Sequence, residues 1–142
     1  MPRSTVTWVQ KLQFVGTDSG KHSVVLSKGD EENGTGMKPS DLLLISLASC
    51  SAVDVVNILQ KKRKQLMHLE IEVEAEQRPD PPWAYTHIHL HYIFTGQNIS
   101  ARDAHRAIQL SHERYCSVSA TLRGTVELTH DYEIREPVGL AE

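Results

Sequence analysis

The hydrophobic and polar positions follow a helical period over one long stretch near the middle of the chain. Residues 39–64 begin with apolar side chains on nearly every side of a helix and continue with a one-sided apolar stripe. Ser40 is placed to cap the start, and Asp41 adds a carboxylate to the first turn, where the helix dipole favours it. The basic run 61–64 gives the other end the favoured charge. The pattern predicts one helix over 39–64, with its first half buried on most sides.

Alternation with a period of two predicts strands on both sides of this helix. The predicted strands cover 4–16, 22–26, 69–76, 87–94 and 125–134. The first of them breaks phase near Gln10. A capping box at Ser100 and Asp103 begins a second helix that reaches about Arg114. The order β-β-α-β-β-α-β predicts an α+β protein with a largely antiparallel sheet.

A long helix that is apolar nearly all round needs cover on several sides. One five-stranded sheet would cover only one side. We therefore expect a second copy of the chain to supply the rest, in an obligate homodimer. The length of 142 residues is enough for a single domain, which we place over residues 1–142.

The composition limits the function classes. A hydrophobic content of 39% is typical of a soluble globular protein, and the net charge of -3 disfavours a nucleic-acid partner. Two cysteines are too few for a disulfide scaffold, and no signal peptide is evident, so a cytoplasmic location is expected. A membrane span over 41–60 is disfavoured, because a charged residue at mid-membrane costs roughly 2.5–3.5 kcal/mol.

Each cysteine lies in a context that thiol sites use. Cys50 lies in the middle of the long helix among small side chains, which leave room for a substrate or a second thiol. Cys116 precedes the segment 117–119, a predicted helix start whose backbone N–H groups would favour a thiolate. Free cysteines also serve as small buried hydrophobes, and this interpretation stays open. A metal site would need further ligands; His112 lies four residues before Cys116, but Cys50 has no such neighbour.

Three histidines share one face of a predicted strand: His87, His89 and His91. Such a row could bind a transition metal. Alternation of apolar and polar residues is also the ordinary pattern of a half-buried strand, and this favours a solvated face. The basic run 61–64 is explained by the end of the helix, without a nucleic-acid partner.

Two segments carry a resemblance to a known family. LLLISLASCSAVDVV, followed closely by ILQKKRK, resembles the core helix of the osmotically inducible protein C (OsmC) family, which includes the organic hydroperoxide resistance proteins. HERYCSVSATL resembles the second cysteine segment of the same family. The similarity extends from the first strand to Ile134. Within the family, the sequence is most similar to a small branch often called YhfA-like.

The resemblance implies an intertwined homodimer, with antiparallel sheets wrapped around two central helices. It also implies a thiol-dependent peroxidase that reduces organic hydroperoxides and is reduced again by a dithiol. In this family, Cys50 matches the peroxide-attacking cysteine and Cys116 matches the resolving cysteine. The thiol chemistry requires no cofactor and no metal.

The sequence departs from the family around the reactive thiol. The active peroxidases place an arginine from the early strands beside it, yet residues 4–62 contain none. Where the family has a supporting glutamate, this chain has Ser40 and Asp41. Glu113 and Arg114 are candidate substitutes beside the second cysteine. Asp54, one turn after Cys50, would disfavour a thiolate. The alternatives are a redox-sensing or small-molecule-binding protein without turnover, and a structural dimer without a site.

Overall fold

The computed structural model describes residues 1–138, so residues 139–142 of the predicted domain lie outside the described residues. The chain separates into two compact units, Met1–Leu43 and a second unit that begins at Leu44. The elements are β1 Thr5–Gln10, β2 Gln13–Thr17, β3 Ser23–Ser27, α1 Pro39–Lys61, β4 Gln65–Gln77, β5 Tyr85–Gln97, α2 Ala101–Leu110, a π-helical turn Ser111–Tyr115 (the π turn), α3 Ser117–Leu122 and β6 Glu127–Arg135. A single domain stays a prediction.

The first unit contains a three-stranded antiparallel sheet in the order β1-β2-β3. The predicted strand 4–16 is therefore two strands. Lys11 adopts a positive φ of 47° between them, which turns the chain back so that Trp8 pairs with Phe14. The break in phase near Gln10 was the mark of this turn in the sequence.

Helix α1 begins at Pro39, a favoured residue for the first helical position. The backbone N–H groups of Asp41 and Leu42 donate to the carbonyl of Lys38, at 3.0 and 3.1 Å. The cap position therefore belongs to Lys38, and Ser40 lies inside the first turn rather than capping it. The proline sets this start, because it has no N–H that needs an acceptor.

Helix α1 ends at Lys61, three residues before the predicted end. Arg63 adopts a left-handed conformation with φ 57°, and the N–H of the next residue returns to the carbonyl of Leu59 at 3.0 Å. This is a closing motif that stops a helix. Lys64 lies beyond it, and its ammonium group pairs with Asp103 at 3.3 Å.

Burial along α1 follows one stripe rather than the whole surface. Its fully buried residues are Leu47, Ser51, Val55 and Leu59. Ile45 is 45% exposed and Val53 is 69% exposed, so the prediction of cover on most sides is not met by this chain alone. By length and composition, α1 is also the one described helix that could cross a membrane, a test that the core helix of a globular protein passes as well.

The second unit contains a three-stranded sheet in the order β4-β5-β6. β4 and β5 form an antiparallel hairpin, whereas β5 and β6 are parallel. The described residues thus form two three-stranded sheets, which corrects the expectation of one five-stranded sheet, and their pairing is largely antiparallel, as predicted. The parallel pair is possible because α2, the π turn and α3 form a crossover long enough to return the chain to the same end of the sheet. The α+β class is confirmed.

The core of the second unit lies between β5, α1 and α2. Alternate residues of β5 face it, and all four are fully buried: Ile88, Leu90, Tyr92 and Phe94. The predicted capping box of α2 is present, with the backbone N–H of Ser100 donating to Asp103 at 3.0 Å and the reverse bond at 3.1 Å. This cap fixes where α2 begins, and therefore where the π turn and the second cysteine lie.

Candidate active site

The two cysteines lie side by side in the second unit, although 66 positions separate them in the sequence (116 minus 50). Cys50 lies halfway along α1, partly exposed, and Cys116 is the buried residue that caps α3. The backbone N–H of Ser119 donates to the Cys116 Sγ at 3.3 Å. Both cysteines are free thiols, and each thiol is a hydrogen-bonding neighbour of the other.

Several donors converge on the Cys50 sulfur. Burial opposes its ionisation, but hydrogen bonds from the Cys116 thiol, the backbone N–H of Val118, and the hydroxyl and backbone N–H of Ser117 outweigh burial. Together they hold the pKa of Cys50 below its usual value. The start of α3 does therefore favour a thiolate, as its sequence suggested, but at Cys50.

The second thiol is shifted in the opposite direction. Burial raises the pKa of Cys116, and the neighbouring Cys50 raises it further, against weaker bonds from Ser119. One sulfur of the pair is therefore easier to ionise than the other. We call this difference the polarity of the pair. Cys50 is the thiol of the pair whose pKa is lowered, and Cys116 is the one whose pKa is raised.

The other predicted site residues do not join this pair. Asp41 lies in the first unit, where its carboxylate pairs with Lys38 at 3.7 Å. Glu113 and Arg114 lie exposed on the π turn, and among the described residues neither forms an ion pair or hydrogen bond with a cysteine. The structure thus brings together the two cysteines and leaves the three supporting candidates elsewhere.

The main groups that shift the pKa of Cys50 do not include Asp54, although its spacing had suggested it. Its carboxylate accepts a hydrogen bond from the Ser111 hydroxyl at 2.9 Å. It also forms part of the wall of a pocket of about 540 Å³ that lies one turn along α1 from the thiol. The other lining residues are Asn57, Ile58, Lys61, Lys62, Leu110 and Tyr115. This pocket has an apolar wall and two cations, and neither cysteine is among its lining residues.

Sequence reasoning missed a set of buried polar side chains behind the cysteines. Ser51 lies in the buried stripe of α1, and its hydroxyl lies 2.6 Å from that of Tyr92. His112, which was considered only as a metal ligand, lies 2.8 Å from the same phenol. A serine at an apolar position of a helix was the available sign, since a buried hydroxyl needs a partner.

His112 is held in a neutral form. Burial lowers its pKa to about 4, and the charges of His130 and Arg123 act in the same direction. Its ring stacks on His130, with centroids 5.4 Å apart. The backbone carbonyl of His112 accepts a hydrogen bond from the Arg123 guanidinium at 2.9 Å. Arg123 is thus an arginine near the second cysteine, but it is engaged with the backbone.

The histidine row of β5 forms a ladder with β6, which we call the histidine ladder. From one end to the other, its side chains are His87, Thr129, His89, Asp131, His91 and Glu133, with consecutive polar atoms 2.6 to 2.9 Å apart. The parallel register places these residues on one face of the sheet. Over residues 1–138, no group of three or more His, Cys, Asp or Glu is arranged to hold a metal ion.

Comparisons with known proteins match this architecture. Residues 29–131 match the family described as OsmC-like protein. Protein YhfA of Escherichia coli strain K12 is 36% identical over 132 residues, which cover 93% of this chain and 97% of that protein.

Among solved structures, a hypothetical protein from Aquifex aeolicus VF5 has a TM-score of 0.86 and 27% identity, over 96% of this chain and 98% of its own. An organic hydroperoxide resistance protein from Legionella pneumophila has a TM-score of 0.67 and 17% identity, over 94% and 96%. At that identity, the second likeness shows a shared fold alone.

Proposed function

Because this chain belongs to the OsmC-like protein family, we propose that it is a thiol-dependent peroxidase that reduces organic hydroperoxides and is itself reduced by a dithiol. In this proposal Cys50 attacks the peroxide and Cys116 resolves the oxidised sulfur. The observation that carries it is the polarity of the pair: a thiol with a lowered pKa next to one with a raised pKa. The organic hydroperoxide resistance protein from Legionella pneumophila has the same fold.

The proposed cycle balances without a metal or an organic cofactor. The Cys50 thiolate attacks the terminal oxygen of the hydroperoxide, so that the O–O bond breaks and an S–O bond forms. The alkoxide takes up a proton and leaves as an alcohol. Cys116 then attacks the sulfenic acid, a disulfide forms and water leaves. A dithiol reduces the disulfide by exchange and restores both thiols.

The direct test is the consumption of an organic hydroperoxide, such as cumene hydroperoxide, by the purified full chain with dithiothreitol. We expect turnover by the parent and none by Cys50→Ser. Cys116→Ser should keep one fast oxidation of Cys50 and lose the disulfide. The matched control is Ser49→Ala, which alters the neighbouring helical position and leaves both thiols intact. Equal peroxide consumption by Cys50→Ser and the parent would refute the mechanism.

The proposal includes a homodimer in the cytoplasm. Exposed and partly exposed apolar side chains in the second unit support the homodimer. Ile45 and Ala52 of α1, together with Leu69 and Val73 of β4, belong to the lining of an apolar groove of about 260 Å³. Within the first unit, Trp8 is 66% exposed on β1. Apolar patches of this kind are typical of protein–protein contact sites, and a second copy is the partner that the family implies.

One observation favours a second candidate function. The donors that lower the pKa of Cys50 are all neutral, whereas the family's peroxidases use an arginine. A thiol activated in this way could serve a redox sensor or a small-molecule-binding protein that oxidises once and does not turn over. The same assay separates the two. A sensor forms the disulfide once per chain and, because dithiothreitol does not reduce that disulfide, consumes no further hydroperoxide.

A further inference from the structure

Six side chains form a continuous chain of hydrogen bonds through the second unit, which we call the polar chain. In order, they are Asp54, Ser111, Ser51, Tyr92, His112 and Ser119. The distances between consecutive polar atoms are 2.9, 2.9, 2.6, 2.8 and 2.7 Å. Ser51, Tyr92 and Ser111 are fully buried, so their hydroxyls need hydrogen-bond partners within the polar chain.

The number of hydrogens available fixes the direction of these bonds. An ionised carboxylate only accepts, so Ser111 donates its single hydroxyl hydrogen to Asp54. The Ser111 hydroxyl is placed to donate to Ser51 as well, but its one hydrogen goes to the carboxylate, which is the stronger acceptor, so Ser51 donates to Ser111. For the same reason, the Tyr92 hydroxyl donates to Ser51. The charge at one end thus orients three buried hydroxyls in a single direction.

The same count of hydrogens determines the tautomer of the His112 imidazole. Because the Tyr92 hydroxyl has used its hydrogen, it can only accept from His112, which must carry its hydrogen on Nε2. The other ring nitrogen, Nδ1, is then bare and accepts from the Ser119 hydroxyl. A neutral imidazole has two possible tautomers, and the polar chain permits one.

The polar chain joins the two segments that carry the thiols. Ser51 directly follows Cys50 on α1. Ser119 lies on α3, and its backbone N–H donates to the Cys116 sulfur at 3.3 Å. Two residues link Ser51 to Ser119: Tyr92 of β5 and His112 of the π turn. In the π turn, the bond from the N–H of Cys116 to the carbonyl of Ser111, 2.7 Å, closes a wider turn than an α-helix has.

We infer that Asp54 is a positioning residue: through the polar chain, it fixes His112 in the Nε2–H tautomer and holds the Cys116 segment against Cys50. The inference rests on the proposed function in one respect only, namely that the positioned thiols serve peroxide reduction. The tautomer follows from contacts and hydrogen counts alone. Without Asp54, Ser111 is free to donate to Ser51, and the donor and acceptor can exchange roles in every hydrogen bond of the polar chain.

The first test reads the tautomer directly by ¹⁵N NMR of the histidine rings in the full-length protein, since bare and protonated ring nitrogens have separate chemical shifts. We expect Nε2–H in the parent and a loss of this preference in Asp54→Ala. The control is Asn57→Ala, because Asn57 lines the same pocket as Asp54 but lies outside the polar chain. This variant should keep the tautomer of the parent. A parent with Nδ1–H, or an unchanged tautomer in Asp54→Ala, would overturn the inference.

The second test measures how well the thiols are held together. Diamide oxidises the two thiols to a disulfide and takes up their two hydrogens, so the assay needs no hydroperoxide turnover. Tyr92→Phe breaks the chain in its middle while keeping the ring. We expect disulfide formation to slow about tenfold, within the range that a displacement of about 1 Å produces.

Phe94→Leu is the matched control for a loss of packing. Phe94 is fully buried on the same strand, stacks on Tyr92 with centroids 6.3 Å apart, and lies outside the polar chain. It should destabilise the fold and leave the rate of disulfide formation near that of the parent. If Tyr92→Phe and Phe94→Leu slow disulfide formation equally, the polar chain does not position the thiols. This result would count against the inference even if the tautomer and the peroxide turnover were as proposed.

Discussion

At the scale of single residues, the reactive thiol depends on neutral hydrogen-bond donors. The Cys50 sulfur is surrounded by the Cys116 thiol and by donors at the start of α3, and these outweigh the cost of burial. Charged groups have longer reach, but a set of directed donors acts only when it is held in place. The activity of this thiol should therefore be sensitive to small changes around α3.

Ser117→Ala should raise the pKa of Cys50, because it removes a hydroxyl donor to the thiolate. The measurement is the rate of alkylation by iodoacetamide as a function of pH, with the full chain reduced beforehand. Ser49→Ala is the control, since its hydroxyl bonds to the backbone carbonyl of Ser46 on the same helix. A shift of equal size in both variants would contradict this role of Ser117.

His112 should make the protein sensitive to acid. Its pKa is near 6.5 when unfolded and about 4 when folded, so the unfolded state gains a proton first as the pH falls. His112 does not change the stability well above pH 6.5. Between about pH 6.5 and 4 it lowers the free energy of unfolding by at most about 3 kcal/mol, and solvent screening of the partly exposed ring reduces this figure.

The check for His112 is urea unfolding across this pH range. His112→Gln should show a shallower loss of stability with falling pH than the parent. His68→Gln, at an exposed histidine of β4, should keep the parent's slope. Parallel curves for the parent and His112→Gln would show that this imidazole does not titrate as its burial requires.

At the scale of elements, the histidine ladder joins β5 to β6. Its His91 should change stability with pH in the direction opposite to His112. The carboxylates of Glu133 and Asp131 raise the pKa of His91. This contribution to stability is complete below the unfolded pKa of about 6.5 and is lost as the pH rises through the raised folded value. As the group is near the surface, we expect less than about 1 kcal/mol.

Removing His91 tests the ladder. Between pH 6 and pH 8.5, His91→Gln should lose less of its free energy of unfolding than the parent does. The same substitution at the exposed His22 in the first unit is the control and should leave the parent's difference unchanged. An identical change for His91→Gln and the parent would contradict this account of the strand pair.

The elements also show how far the sequence determines what is seen. The alternation of 69–76 and the capping box at Ser100 act locally, so both were predictable and both are present. The thiol contexts predicted a reactive pair because small neighbours and a helix start are local as well. The π turn and the polar chain were not predictable, since they join Ser51, Tyr92 and His112 from three separate elements.

At the scale of the whole molecule, one chain leaves the central helix partly uncovered. A helix apolar on nearly every side was predicted to be buried, yet Ile45 and Val53 stay exposed. The sequence pattern and the burial within one chain therefore disagree, and a second copy would reconcile them. This is the physical ground for the proposed homodimer.

The parent should sediment as a dimer at micromolar concentration. Ile45→Lys places a charge in the apolar groove of α1 and β4 and should shift the protein towards the monomer. Gln60→Lys, on an exposed position of the same helix, is the control and should leave the dimer intact. A parent that is monomeric at every concentration tested would remove the homodimer from the account.

The central claim is that Cys50 is oxidised by an organic hydroperoxide and Cys116 resolves it. Intact-protein mass spectrometry after one equivalent of hydroperoxide tests this most directly. The reduced parent should lose two hydrogen atoms as one internal disulfide, and Cys116→Ser should gain one oxygen atom that is located at Cys50. A folded parent whose mass stays that of the dithiol after excess hydroperoxide would contradict the account.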